Sequence, residues 1–315
     1  DALSGATAPT LAVTASVTLN TVRVGSGVAG ATWLWDTTAA NVWPVVNSTI
    51  ALNSPLTITK LGANWWALQP NAGSGMTGSG GGAGNDTLIF NLSPLGNLGN
   101  NYWQANNAVA NDFAGNVRVV TGVLSMQGSA NNMIIPDTAA IVLNPGATMR
   151  WNIVGVTESF DGLGGLGTLD VFNGTTGTFT IGGNNGSSVF PGVLSNSSGT
   201  LNLVKAGTGT LLLGGANTHG GVTTLNGGRL ALANGSAVQN STLDLPADGT
   251  GEAIFSGSAA FTFGGLRGER DLILTNDAGV AVALTVGGNG TSTTYSGALS
   301  GAASVTKTGA GDLAL

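Results

Sequence analysis

Residues 203–235 read LVKAGTGTLLLGGANTHGGVTTLNGGRLALANG. Leu211 and Leu213, and again Leu230 and Leu232, stand two apart with small or polar neighbours, the period of a strand that buries one face. Each short run closes on a glycine pair or on Asn-Gly, at Gly214-Gly215, Gly220-Gly221, Gly227-Gly228 and Asn234-Gly235. Such dipeptides open turns, whereas an interior glycine costs a helix roughly 1 kcal/mol relative to alanine. The same plan recurs outside this stretch, where Phe179-Thr180-Ile181 runs into Gly182-Gly183 and Leu284-Thr285-Val286 into Gly287-Gly288. The chain is therefore expected to fold as many short strands joined by glycine turns.

Self-comparison converts this plan into an architecture. Residues 179–196, FTIGGNNGSSVFPGVLSN, align with 284–301, LTVGGNGTSTTYSGALSG, and the copy continues so that Lys205 matches Lys307. Residues 160–163 pair more loosely with 263–266. A repeat of about 100 residues built from short strands must hold several coils, because a repeat buries its apolar face only against its neighbours. Parallel strands stacked at ~4.8 Å, apolar side chains inward and Thr, Ser and Asn outward, make an all-β, right-handed parallel β-helix, a β-solenoid. Each coil is expected to take roughly 20 to 25 residues.

The stretch 203–235 also resembles a known family, the autotransporter-associated β-strand repeat, or passenger-associated transport repeat. That pattern runs approximately L-x-K-x-G-x-G-x-L-x-L-x-G-x-N, then an aromatic, then G-x-T and a closing G-x-L. Lys205, Gly207, Gly209, Leu211, Leu213, Asn217, Gly221, Gly228 and Leu230 occupy matching places, and His219 stands where the family usually has an aromatic. The partial copy carries Lys307, Gly309 and Gly311 and stops in mid-motif at Leu315, so the natural chain is expected to continue. The start at Asp1 fits a processed terminus or an arbitrary boundary. The resemblance covers the chain well from about residue 180 and its first 150 residues poorly. It implies a secreted passenger, displayed on a bacterial cell surface after export through an outer-membrane barrel.

Composition excludes most other functions. The 315 residues include 53 glycines, no cysteine and one histidine, and 8% of them are charged, against roughly 25% in an ordinary domain. With hydrophobics at 42% the chain carries too much apolar material to be disordered. Nine Lys plus Arg and a net charge of −6 offer no basic stripe for nucleic acid. Without cysteine there is no thiolate chemistry, and His219 alone cannot build a multi-histidine zinc site. No apolar run is long enough to cross a bilayer as a helix.

The remaining candidates sit on a background of turns. All seven tryptophans lie by residue 151. Trp33, Trp35, Trp43, Trp65, Trp66 and Trp103 mark residues 1–115 as a Trp-rich cap region, followed at 116–315 by the parallel β-helix with its repeats of about 100 residues. These rings either fill a capping core or form a surface that stacks on sugars or a partner. Residues 81–89, GGAGNDTLI, spell the calcium-binding nonapeptide, with Asp86 as its carboxylate, but one copy cannot supply the six or more oxygens that calcium takes. The stretch is therefore read as a glycine loop leading into the strand 87–92, and no cofactor is expected, with calcium at Asp86 as the alternative. Residues 162–167 spell G-x-G-x-x-G but run into a strand, so no helix terminus is present to hold a pyrophosphate. Glu158 with Asp161, and the run Arg267, Glu269, Arg270, Asp271, are read as surface turns. Lys205 and Lys307 recur at one repeat position, which points to a coil-edge salt bridge or a hydrogen bond to the next coil.

The leading expectation is a non-enzymatic, extracellular structural or adhesive scaffold, an autotransporter-like passenger that can form a fibre or stalk. Its partners would be further copies of itself, side by side or end to end, or a neighbouring cell surface. The alternative is an extracellular carbohydrate-binding or polysaccharide-degrading β-helix, favoured by a groove with two convergent carboxylates. Nucleic acid is not an expected partner.

Overall fold

The computed structural model describes residues 10–13, 18–19, 22–24, 30–37, 45–46, 50–62, 64, 66–70, 76–78, 85–92, 101–105, 111–128, 134–172 and 174–315. Among these residues there is no helix, and none that is long and apolar enough to cross a membrane. The chain divides into two compact units, residues 1–160 with 167–169, and residues 161–166 with 170–315.

In the first unit one sheet runs Thr10–Val13, Ala31–Asp36, Leu56–Leu61, Asp86–Leu92, Asn116–Thr121 and Ala140–Leu143. A second sheet stacks Trp66–Pro70, Asn101–Ala105, Val123–Gly128 and Thr148–Asn152, and a third holds Ile50–Leu52, Met76–Gly78 and Asp112–Phe113. The pairings are parallel, as when Trp35 lies opposite Lys60 and Ile58 opposite Phe90. Parallel neighbours require a crossover, and here each crossover carries strands of the other sheets, so a coil closes on itself. The step from Ile58 to Phe90 is longer than the expected coil, whereas the step from Trp33 to Ile58 matches it. The compositional change near residue 115 does not interrupt the sheet, since Asp86–Leu92 pairs with Asn116–Thr121.

In the second unit the main sheet runs Thr175–Ile181, Gly199–Lys205, Val222–Leu225, Val238–Leu245, Ala260–Gly268, Ala283–Val286 and Ser304–Lys307. A second sheet stacks Ser188–Phe190, Thr210–Leu213, Arg229–Leu232 and Glu252–Phe255. Leu203 faces Thr223 and Thr178 faces Asn202, which places successive coils at the expected spacing. Alternation decides the inside: Leu211 and Leu213 stack on Leu230 and Leu232, and Leu232 on Phe255, all buried. Burying a leucine this fully contributes roughly 1.5–3 kcal/mol, and every coil repeats the gain on its neighbour. Each unit is an all-β parallel β-solenoid.

Candidate functional site

The residues shared by the two sequence copies are the ones that fasten one coil to the next. Lys205 ends an inward-facing series, Leu201, Leu203, Lys205, and is itself fully buried. Its Nζ donates to the carbonyls of Ala206, of Gly207 and, at 3.4 Å, of Gly227 in the following coil. An ammonium has three protons and no acceptor capacity, so three carbonyls complete it. Burial lowers the Lys205 pKa, opposed by the charge of Asp161. Lys307 repeats the geometry on Thr308 and Gly309, with the Gly309 carbonyl at 3.2 Å, but its side chain is exposed.

The glycines of this turn are required by the same closeness. Gly207 has φ +62°, and a Cβ there would lie 2.0 Å from the Gly182 carbonyl oxygen of the preceding coil. Gly309, at φ +69°, would meet the Gly287 oxygen at 2.1 Å, so both copies make one contact. Gly209 and Gly311 would run into Gly186 and Thr291, and Gly228 into the Gly209 oxygen. No side chain fits where backbone passes backbone at that distance.

Asn217 fastens three coils. Its Oδ1 accepts the Leu194 amide at 2.8 Å and its Nδ2 donates to the Ala237 carbonyl at 2.9 Å, with the side chain buried. An amide is the one neutral side chain that carries an acceptor and a donor at the two ends of a short fork. This accounts for an asparagine at that motif position.

Residues 203–232 match the model of the passenger-associated transport repeat. The chain carries this passenger repeat. No curated protein and no solved structure gives a significant match. The repeat on a β-solenoid fits an autotransporter passenger scaffold.

The passenger repeat's lysine turn extends further than the alignment of the two copies. Leu56, Ile58, Lys60, Gly62, Trp66 and Leu68 follow the spacing of Leu201, Leu203, Lys205, Gly207, Leu211 and Leu213, and Gly62 has φ +83°. Lys60 is buried like Lys205, yet its Nζ has no hydrogen-bond partner among the described residues, and burial pushes its pKa down to about 8. The Leu61 carbonyl on that turn instead accepts the Thr37 amide and hydroxyl. Asn111 likewise repeats the role of Asn217, accepting the Met76 amide at 2.7 Å and donating to the Ile134 carbonyl at 2.7 Å. The frame L-x-[aliphatic]-x-K-x-G was the signal for Lys60, hidden because Asn64 and Trp66 replace the second glycine and the leucine.

The tryptophans enter the interior. Trp33, Trp35, Trp66 and Trp103 are each 0–1% exposed, while Trp43 and Trp65 lie outside the described residues. Ring centroids run 6.1 Å from Trp33 to Trp35, 6.4 Å to Trp66, 6.4 Å to Phe90 and 5.7 Å to Trp103. With no face in solvent, these four cannot stack on a sugar while the coil is folded. They form an aromatic spine instead, each edge-on or tilted contact adding about 0.5–1.5 kcal/mol to its area burial.

Asp86 pairs with Arg118 Nε at 2.5 Å, and residues 81–84 of the nonapeptide lie outside the described residues. Among the described residues no group of three His, Asp or Glu could hold a metal ion. Glu158 and Asp161, expected on a surface turn, act between coils. Buried Glu158 accepts the Ile134 and Ile135 amides at 3.1 and 2.6 Å, and Asp161 accepts those of Asn184 and Gly186 at 3.0 Å. Asp170, which the sequence did not single out, holds Ser195 and Ser197 in the same manner. In the charged run, Arg267 pairs with Asp244 at 2.7 Å and Arg270 donates to the carbonyls of Pro246, Gly251 and Leu225.

His219 is buried and heads a hydroxyl chain. Its Nε2 lies 3.0 Å from Thr223 Oγ1, which lies 2.8 Å from Ser241 Oγ, which donates to the Gly221 carbonyl. That last donation fixes the direction: Thr223 donates to Ser241 and accepts from Nε2–H, leaving Nδ1 bare. Burial pushes the His219 pKa down to about 4, so the ring is neutral at pH 7 and fills the aromatic place of the passenger repeat.

Proposed function

We propose that the chain is the surface-displayed scaffold of an exported passenger, a structural and adhesive protein rather than an enzyme. The observation that carries this reading is the repeated latch of Lys205, Gly207 and Asn217, which spends its polar groups on coil-to-coil closure. A chain with 8% charged residues and no cysteine needs such a latch to remain folded outside a cell. Side-by-side contact between copies is supported by three outward apolar side chains on one sheet of the second unit, Val189, Leu212 and Ile254, with buried Ala231 in the same register between the last two. Val189 is 58% exposed there. Such a row favours a second apolar surface over water.

Protease treatment of intact producing cells tests the display. Cleavage of the chain by protease added outside the cells is expected. Full protection until the cells are lysed would overturn the reading.

A further inference from the structure

The second unit carries a groove of about 980 Å³ on the outer face of its main sheet. Asn202, Val222 and Thr242 lie on its floor, from three neighbouring strands, with Asp244 beside Thr242 on the third, and Arg267 continues it onto a fourth. Four strands at ~4.8 Å give a floor about 14 Å long. Asn289 forms a wall by leaning back over the sheet, its Nδ2 on Thr242 Oγ1 at 2.9 Å although the two are 47 residues apart. Gly265, opposite Thr242, keeps the floor low, since a Cβ there would lie 2.6 Å from the Thr242 hydroxyl. The volume falls in the range of ligand clefts, and the groove is open to solvent.

The lining selects a chemistry. Seven hydroxyls and two amides stand among the lining side chains, the surface they share is somewhat more carbon than polar, and no aromatic ring lines the groove. Asp244, with a side chain only 14% exposed, is held against Arg267 at 2.7 Å, so an acceptor and a donor stand side by side in fixed positions. Two adjacent hydroxyls of a sugar ring need that pairing, one donating to the carboxylate and one accepting from the guanidinium. Three carboxylates, Asp244, Asp248 and Glu269, outnumber the one guanidinium of the lining and repel an acidic polymer. We propose that this groove binds a neutral or amino-bearing oligosaccharide along the sheet face. The site is independent of the scaffold reading, which would stand without it.

Titration calorimetry of the full chain with cellotetraose, mannotetraose, glucosamine tetramer and tetragalacturonate tests the proposal. At least one of the first three is expected to bind, and tetragalacturonate is not. Asp244→Asn is expected to weaken that binding about tenfold or more, and Thr200→Trp, which fills the groove from its rim, to do the same without lowering the melting midpoint. Absence of binding by all three at ~10 mM overturns the proposal. Binding that survives both substitutions, or preference for tetragalacturonate, also overturns it.

Discussion

Lys60 and Lys205 occupy the same place in their coils, yet only the Lys205 ammonium meets backbone carbonyls. A buried charge with partners and a buried charge without them respond oppositely to removal. Lys205→Met strands the carbonyls of Ala206, Gly207 and Gly227 and is expected to lower stability by about 2–4 kcal/mol. Lys60→Met is expected to raise it by about 1–2 kcal/mol. Urea unfolding followed by circular dichroism reads both. Tryptophan fluorescence isolates the first unit, where the described tryptophans lie.

The pH dependence of Lys60 has a definite sign. Its folded pKa is pushed down to about 8, below the unfolded value of 10.5. Stability is fully present above pH 10.5 and is lost as pH falls toward 8, because the unfolded chain binds the proton first. Urea midpoints of the first unit should therefore gain a rising contribution between pH 8 and 10.5, absent in Lys60→Met.

His219 acts in a lower window. With its folded pKa pushed down to about 4 and the unfolded imidazole at 6.5, stability is complete above pH 6.5 and falls as pH drops toward 4. The loss is on the order of 3 kcal/mol at pH 4. His219→Phe restores the aromatic of the passenger repeat and should remove that part of the slope. Denaturant midpoints of the two proteins at pH 7 and pH 5 measure it.

Two glycines separate necessity from habit. Gly207→Ala places a methyl 2.0 Å from the Gly182 oxygen at φ +62° and is expected to cost more than about 2 kcal/mol. Gly183 has open space around its Cβ position, and Gly183→Ala is expected to stay within about 0.5 kcal/mol of the parent. Thermal melts of the two variants give the comparison.

How far the sequence discloses this molecule depends on whether a residue faces a strand or a coil edge. Period-two leucines and glycine pairs, as at Leu211, Leu213 and Gly214-Gly215, state the β-solenoid directly, because alternation and turn chemistry are local. The roles of Lys205 and Asn217 were legible as recurring or family positions, without their partners. Glu158, Asp161 and Asp170 were not legible. Their partners stand 23 to 27 residues away, in the adjacent coil, and no local pattern marks a carboxylate that accepts amides at that range. The tryptophans left two readings open because composition does not say which way a side chain points. Alternation in Ala31–Asp36 turns Trp33 and Trp35 inward together. Trp66→Ala, which breaks the spine between Trp35 and Phe90, is expected to cost about 3–5 kcal/mol in the first unit.

The central claim is that the passenger repeat's polar residues hold one coil to the next, and Asn217 offers its most direct test. Hydrogen exchange at the Leu194 amide, whose acceptor is Asn217 Oδ1 in the neighbouring coil, can be followed in the parent and in Asn217→Ala. The account predicts slow exchange in the parent and a rise of about 10- to 100-fold in the variant, with the Ala260–Gly268 strand unchanged. A Leu194 amide that exchanges as fast as an exposed turn in the parent, or at the same rate in both proteins, would contradict it.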